Sequence, residues 1–184
     1  PRGLTPNLDA LMGEGVLLRQ HRSCANWTYQ SMICGLSGNY NRSNGYVPVA
    51  GADEYVDLQG LTQDTTLLPA VLSQEGFATG LMSTNSFFGD AYGFDRDFDL
   101  YNQATGAMGG EVTDRGVEMA QILEQTGQRW YLHLHYIDPH APYDAPPAYQ
   151  EGTLEPPSGE LDLSEAVGVH HANEAFAEMG EAER

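Results

Sequence analysis

The chain has 184 residues, enough for one sizeable core, and its 41% hydrophobic and 10% aromatic content excludes general disorder. Asp and Glu total 26 against 8 basic residues, a formal net charge of −18 that repels nucleic acid phosphates and anionic membranes; both are excluded as partners. All eight basic residues are arginine. A lysine-free acidic surface fits a halophilic protein, whose self-repulsion salt screens; an acidic protein from an ordinary habitat is the alternative.

Thr5-Pro6 reads as an N-cap with proline at the first helical position, and Leu8, Leu11 and Met12 share the helix face that follows. Gly13 and Gly15 end it, and Val16-Leu17-Leu18 opens a predicted buried strand to about Cys24. A short helix is expected over Thr28 to Leu36, closed by Ser37-Gly38, and Asn39 to Gly60 reads as loop. Thr65 to Gln74 gives a second helix with Gly76 after it, then a strand over Phe77 to Met82. Ser83 to Gly110 reads as irregular. A further helix is expected from a Thr113 cap to Glu124, and a strand over Arg129 to Ile137, rich in aromatic and branched residues. A proline-rich loop over Pro139 to Pro157 and an acidic helix over Leu163 to Glu183 complete the reading. No apolar run approaches the roughly 18 residues of a membrane span. Cys24 and Cys34 make no disulfide framework and read as small buried hydrophobes.

Helix then strand, repeated, predicts an α/β sandwich around a largely parallel sheet, with ligands beyond the carboxyl ends of the strands. Two segments fall there. In Ser23 to Met32 a hydroxyl residue, Thr28, sits at a helix start, where amide groups and the positive dipole end suit a tetrahedral oxyanion. Such a hydroxyl attacks phosphorus or sulfur once a base or metal activates it; the plain alternative is a threonine cap. In Leu132 to Tyr143, alternation puts Trp130, Leu132, Leu134 and Tyr136 on one face and Tyr131, His133, His135 and Ile137 on the other. Asp138 and His140 fall past the strand's end, while His133 and His135 read as packed core residues.

These segments carry a resemblance. Thr5-Pro6-Asn7-Leu8-Asp9-Ala10-Leu11 with Gly15-Val16 resembles the TPNLD-x-L…EGV opening of sulfatases. Ala25 to Gly38 aligns without a gap to their nucleophile segment, of the type APWCSPSRASLLTG, and Leu132 to Tyr143 is similar to their HYxDPHAPY stretch. Glu75-Gly76-Phe77-Ala78-Thr79 and Gly93-Phe94-Asp95 match weaker landmarks, so the likeness covers about residues 4 to 150. It implies an alkaline-phosphatase-like sandwich, present as part of a single catalytic domain over 1–184 that lacks its N-terminal strand and C-terminal portion. Both ends, Pro1 without a methionine and Arg184 inside an acidic stretch, read as cut.

By the resemblance, Thr28 is the nucleophile and also a ligand of a divalent cation (Ca, Mn, Zn or Mg). His140 contacts the transferred group, and Asn85 lies near a substrate-binding position. The remaining metal ligands are expected outside this piece. The maturation motif C/S-x-P-x-R reads Thr28-Tyr29-Gln30-Ser31-Met32, without proline or arginine, so formylglycine is not expected. The implied function is hydrolysis or transfer of a phosphate or sulfate ester of a small molecule, glycan or lipid through a covalent threonine, with phosphate favoured by an unmodified threonine. By analogy such proteins work outside the cytoplasm. The alternatives are a sulfatase-fold binding or structural protein without catalysis and an unrelated ligand-binding domain.

Overall fold

A computed structural model describes residues 5–40, 43, 61–62, 64–89, 92–138 and 140. They fall into two compact units, one made of residues 1–21 and 138–184, the other of 22–137. In the first unit Pro6–Glu14 forms helix α1 behind Thr5, whose carbonyl accepts from Asp9 N at 2.8 Å. Proline at the first position fixes φ where no amide partner is needed. The strand expected from Val16 to Cys24 is absent. Val16, Leu17 and Leu18 are 87, 56 and 67% exposed. A three-residue apolar run makes a strand only beside another strand, and among the described residues none pairs with it.

The second unit is built on three parallel strands in the order β2-β1-β3, with β1 Phe77–Ser83, β2 Leu100–Gln103 and β3 Arg129–His135. Gly80 lies opposite both Leu100 and Leu132, and Ser83 opposite Gln103 and His135, so all three strands end together. Helix α2, Thr28–Ser37, ends where Gly38 turns left-handed at φ 68° and donates to Cys34 O. Helix α3, Leu68–Gln74, starts three residues later than expected because Pro69 sets its first turn. Helix α4, Gly109–Gln125, starts four residues before Thr113, which is therefore no cap; its Oγ1 donates to Gly109 O inside the helix. β2 and the 3₁₀ turn Ser86–Phe88 lie in the stretch expected to be irregular.

The two faces of the sheet are packed differently. On one, Met82, Leu132 and Leu134 meet Val112 and Met119 of α4. The approach is close: a Cβ on Gly116 would sit 2.9 Å from Leu134, and one on Gly80 3.0 Å from Leu132. Trp130 Nε1 donates to Glu124 at 2.8 Å and the Tyr136 hydroxyl lies 3.1 Å from that of Thr113, so the face alternation expected for β3 is the observed one. On the other face Leu81 joins Tyr29, Ile33 and Leu36 of α2 with Leu61, Leu67, Phe88 and Phe94. Thr79 ties this face together: its backbone N and Oγ1 both donate to Asp99 Oδ2, at 2.7 and 3.0 Å.

The arrangement is α/β, a parallel sheet with flanking helices, as read from the sequence. No helix among the described residues is long and apolar enough to cross a membrane. Cys24 and Cys34, expected as separate buried hydrophobes, are joined in a disulfide with Cα atoms 6.4 Å apart, and Cys24 is exposed. The chain doubles back along α2 and brings the two within bonding range, which a separation of ten residues alone does not reveal. The loop Asn39 to Gly60, apart from its first residues, the acidic helix Leu163 to Glu183 and all but His140 of the proline-rich loop lie outside the described residues.

Candidate active site

Thr28 is the first residue of α2, one position inside the cap. The cap itself is Trp27, extended at φ −142° and ψ 161°, and an indole has no acceptor oxygen for the first-turn amides. Thr28 is half-buried, and no hydrogen bond engages its hydroxyl among the described residues. An ordinary threonine cap would sit one residue earlier and spend its oxygen on the helix. Here the hydroxyl stands at the positive end of the helix, uncommitted.

The side chains flanking Thr28 fix the start of α2 against the Ser86–Phe88 turn that follows β1. Trp27 and Tyr29 both pack on Phe87, with ring centroids 5.6 and 6.0 Å away, and Tyr29 also meets Phe94 edge-on at 5.7 Å. Tyr29 is wholly buried. Edge-to-face rings hold orientation as well as area. Upstream, Ser31 Oγ donates to Ala25 O at 2.9 Å and accepts from Ser23 Oγ at 2.7 Å. Met32, one helical turn after Thr28 on the same side, packs on the aromatic cluster; its thioether offers an oxyanion no charge.

Asn85 lies in the turn leaving β1, two residues before Phe87, so Thr28 and Asn85 belong to contacting elements. Asn85 is only 7% exposed. Its Oδ1 accepts from Phe87 N at 2.9 Å and its carbonyl accepts from Gln103 Nε2 at 3.2 Å. The residue thus caps the Ser86–Phe88 turn that receives Trp27 and Tyr29. Thr84 closes the end of the sheet, its Oγ1 accepting from Ile137 N at 3.2 Å. His140 and Asp138 are exposed and belong to the unit of residues 1–21 and 138–184, whereas Thr28 and Asn85 belong to the other.

His133 and His135 are packed, as expected. Phe88 lies between them and the aromatic cluster, its ring 4.7 Å from His135 and 6.0 Å from His133. Burial, reinforced by neighbouring His135, pushes His133 down to about 4. Burial also lowers His135 and raises the Tyr131 hydroxyl, which lies 3.1 Å from His133 Nδ1. These imidazoles are neutral at pH 7. Among the described residues no three His, Cys, Asp or Glu side chains gather to hold a metal ion. The described residues do not by themselves form a metal centre.

The aromatic packing around Thr28, Ser31 as an anchor and the cysteine pair went unread in the sequence. The cysteines carried the one usable signal, since both flank Thr28 within six residues.

A family model described as Sulfatase matches residues 1–160. Arylsulfatase D of Homo sapiens is 34% identical over 84 residues, covering 42% of this chain and 14% of that protein. The solved structure of BT4656 in complex with its substrate D-glucosamine-2-N,6-O-disulfate shares the fold at a TM-score of 0.63 and 16% identity, covering 84% of this chain and 34% of that one. The chain spans about a third or less of the length of either relative.

Proposed function

Because this chain belongs to the sulfatase family, we propose that the protein it forms hydrolyses a sulfate or phosphate ester with Thr28 as nucleophile. The observation that carries this reading is the uncommitted Thr28 hydroxyl at the start of α2, whose neighbour Trp27 packs on Phe87 in the turn that follows β1. Carboxyl ends of parallel strands are where α/β sheets place ligands. A helix start offers amide donors and a positive partial charge to an oxyanion.

In this reading the Thr28 oxygen loses its proton and attacks sulfur or phosphorus in line. The ester S–O or P–O bond breaks, the alcohol leaves with a proton, and water then releases the threonine ester as sulfate or phosphate. His140 contacts the transferred group, and Asn85 orders the turn on which the nucleophile's helix rests. A divalent cation would be held by Thr28 together with ligands that the described residues do not supply, and it would provide Lewis-acid activation. The family favours a sulfate ester, and the sulfated sugar bound by BT4656 suggests a small sulfated molecule or glycan. A phosphate ester is the second reading. Thr28 without the C/S-x-P-x-R motif favours it, because an unmodified threonine lacks the aldehyde that serves sulfate cleavage.

The test is hydrolysis of aryl sulfate, aryl phosphate and phosphodiester substrates by the complete protein, with Ca, Mn, Zn or Mg and in high salt. Thr28→Ala should lower turnover about 1,000-fold or more while leaving the fold intact, and Thr28→Ser should keep part of it. The preferred ester decides between sulfate and phosphate. Turnover retained by Thr28→Ala, or none with any ester in the folded wild type, would favour the non-catalytic alternative, for which Met32 in the aromatic cluster is the supporting observation.

A further inference from the structure

Resting on Thr28 as nucleophile, we propose that the Cys24–Cys34 disulfide and Ser31 form a clamp that positions Thr28, and that the enzyme is competent only with this clamp oxidised. Two anchors tie the segment entering α2 back along the helix it precedes. Ser31, in the first turn, takes the Ala25 carbonyl and the Ser23 hydroxyl. Cys34, three residues further along, takes Cys24 covalently. Thr28 sits at the bend between the two arms, so both anchors act on the torsions that aim its oxygen.

The clamp matters because little else holds this arm. Ser23, Cys24 and Asn26 are all exposed, and Ala25 is half-buried. Apart from these two anchors, no side-chain hydrogen bond among the described residues holds 23–26. Trp27 and Tyr29 anchor the helix side of the bend through Phe87 and Phe94. Without the disulfide, the entering arm keeps a single serine anchor and the bend frays, as helix ends do when few groups tie them down. Cys24 is exposed, which leaves its disulfide accessible to a thiolate. Reduction by a dithiol delivers two electrons and two protons, giving two cysteine thiols while the dithiol closes to its own disulfide. A bond whose integrity is needed for activity fits an oxidising compartment.

The experiment uses the complete protein with its metal and the ester selected by the preceding test. Turnover and hydrogen exchange are followed for wild type before and after dithiothreitol, for Cys24→Ser/Cys34→Ser, and for Thr28→Ala. Misaiming a nucleophile by an ångström costs on the order of 10- to 100-fold. Reduced wild type and the double variant should therefore lose kcat by that factor, with KM within about threefold. Amides of 24–34 should exchange about tenfold faster or more while those of β1 and β3 stay protected. Reoxidation should restore wild type and leave the double variant unchanged. Ser31→Ala, which keeps the disulfide, should become more sensitive to dithiothreitol than wild type. Equal turnover and exchange before and after reduction overturns the clamp, as does exchange rising through β1 and β3, which marks a general staple. If Thr28→Ala is inactive while reduction changes nothing, the clamp falls and the nucleophile stands. If Thr28→Ala turns over normally, the nucleophile falls and the clamp with it.

Discussion

The two faces of the β2-β1-β3 sheet solve the same packing problem with different chemistry. Toward α4 the contact is aliphatic, with Met82, Val112, Met119, Leu132 and Leu134 brought close by glycines at 80 and 116. Toward α2 it is aromatic and polar: Tyr29, Phe88 and Phe94 share one cluster, Phe88 lies against His133 and His135 of β3, and Phe98 stacks on Tyr131. The aliphatic face is determined by volume. The aromatic face adds orientation, because edge-on rings and hydrogen-bonded hydroxyls accept few geometries. It is also the face that leads, through Phe87, to Thr28. A directional aromatic layer therefore lies beside the start of α2, where the proposed nucleophile stands.

Removing the ring at the centre of that layer is the strongest way to break the comparison. Phe88→Ala should destabilise the unit by about 3–5 kcal/mol, since Phe88 is wholly buried and touches both imidazoles. Urea unfolding measures it, and a cost under about 1 kcal/mol would mean the rings are not a packed layer.

The next effect is in pH, and the polar face alone should carry it. With His133 held near 4 when folded and ordinary when unfolded, the unfolded chain binds the proton first as pH falls. Stability is therefore full above about pH 6.5, declines toward pH 4 and levels off below. For His133 the loss is at most about 3 kcal/mol. His135, lowered in the same direction, adds to the slope. Unfolding free energies between pH 7 and 4 should show this decline, and His133→Gln should flatten it; an unchanged slope would place the titration elsewhere.

Overpacking the other face sharpens the contrast. Gly80→Val forces side-chain atoms into space held by Leu132, Leu123 and Met119, at about 2 kcal/mol. This cost should be the same at pH 7 and pH 4.5, because no titrating group lines that contact. A pH-dependent cost would show that the two faces are coupled.

Local signals made part of this legible. Proline at position 6 and glycine at 38 marked the start of α1 and the end of α2, and β-branched and aromatic residues marked β1 and β3. The alternation in β3 was readable because a strand's two faces follow from period two. β2 was missed because four residues, Leu-Tyr-Asn-Gln, carry no periodicity until β1 is beside them. The opposite error came from Val16-Leu17-Leu18, apolar enough for a strand yet without a partner strand among the described residues. Thr113 looked like a cap because glycines at 109 and 110 looked like loop, while the helix runs through them.

For the site the division is similar. The sequence by itself determined the family through three ordered motifs, the parallel α/β class and Thr28 at a helix start, because these depend on residue types at short spacing. Tertiary structure alone decided that Cys24 meets Cys34, that Asn85 caps the turn against which α2 packs, and that Met32 joins an aromatic cluster. Each of those depends on where the chain returns after leaving a local element. Spacing fixes torsions over a few residues, but packing of distant segments sets which side chains finally touch.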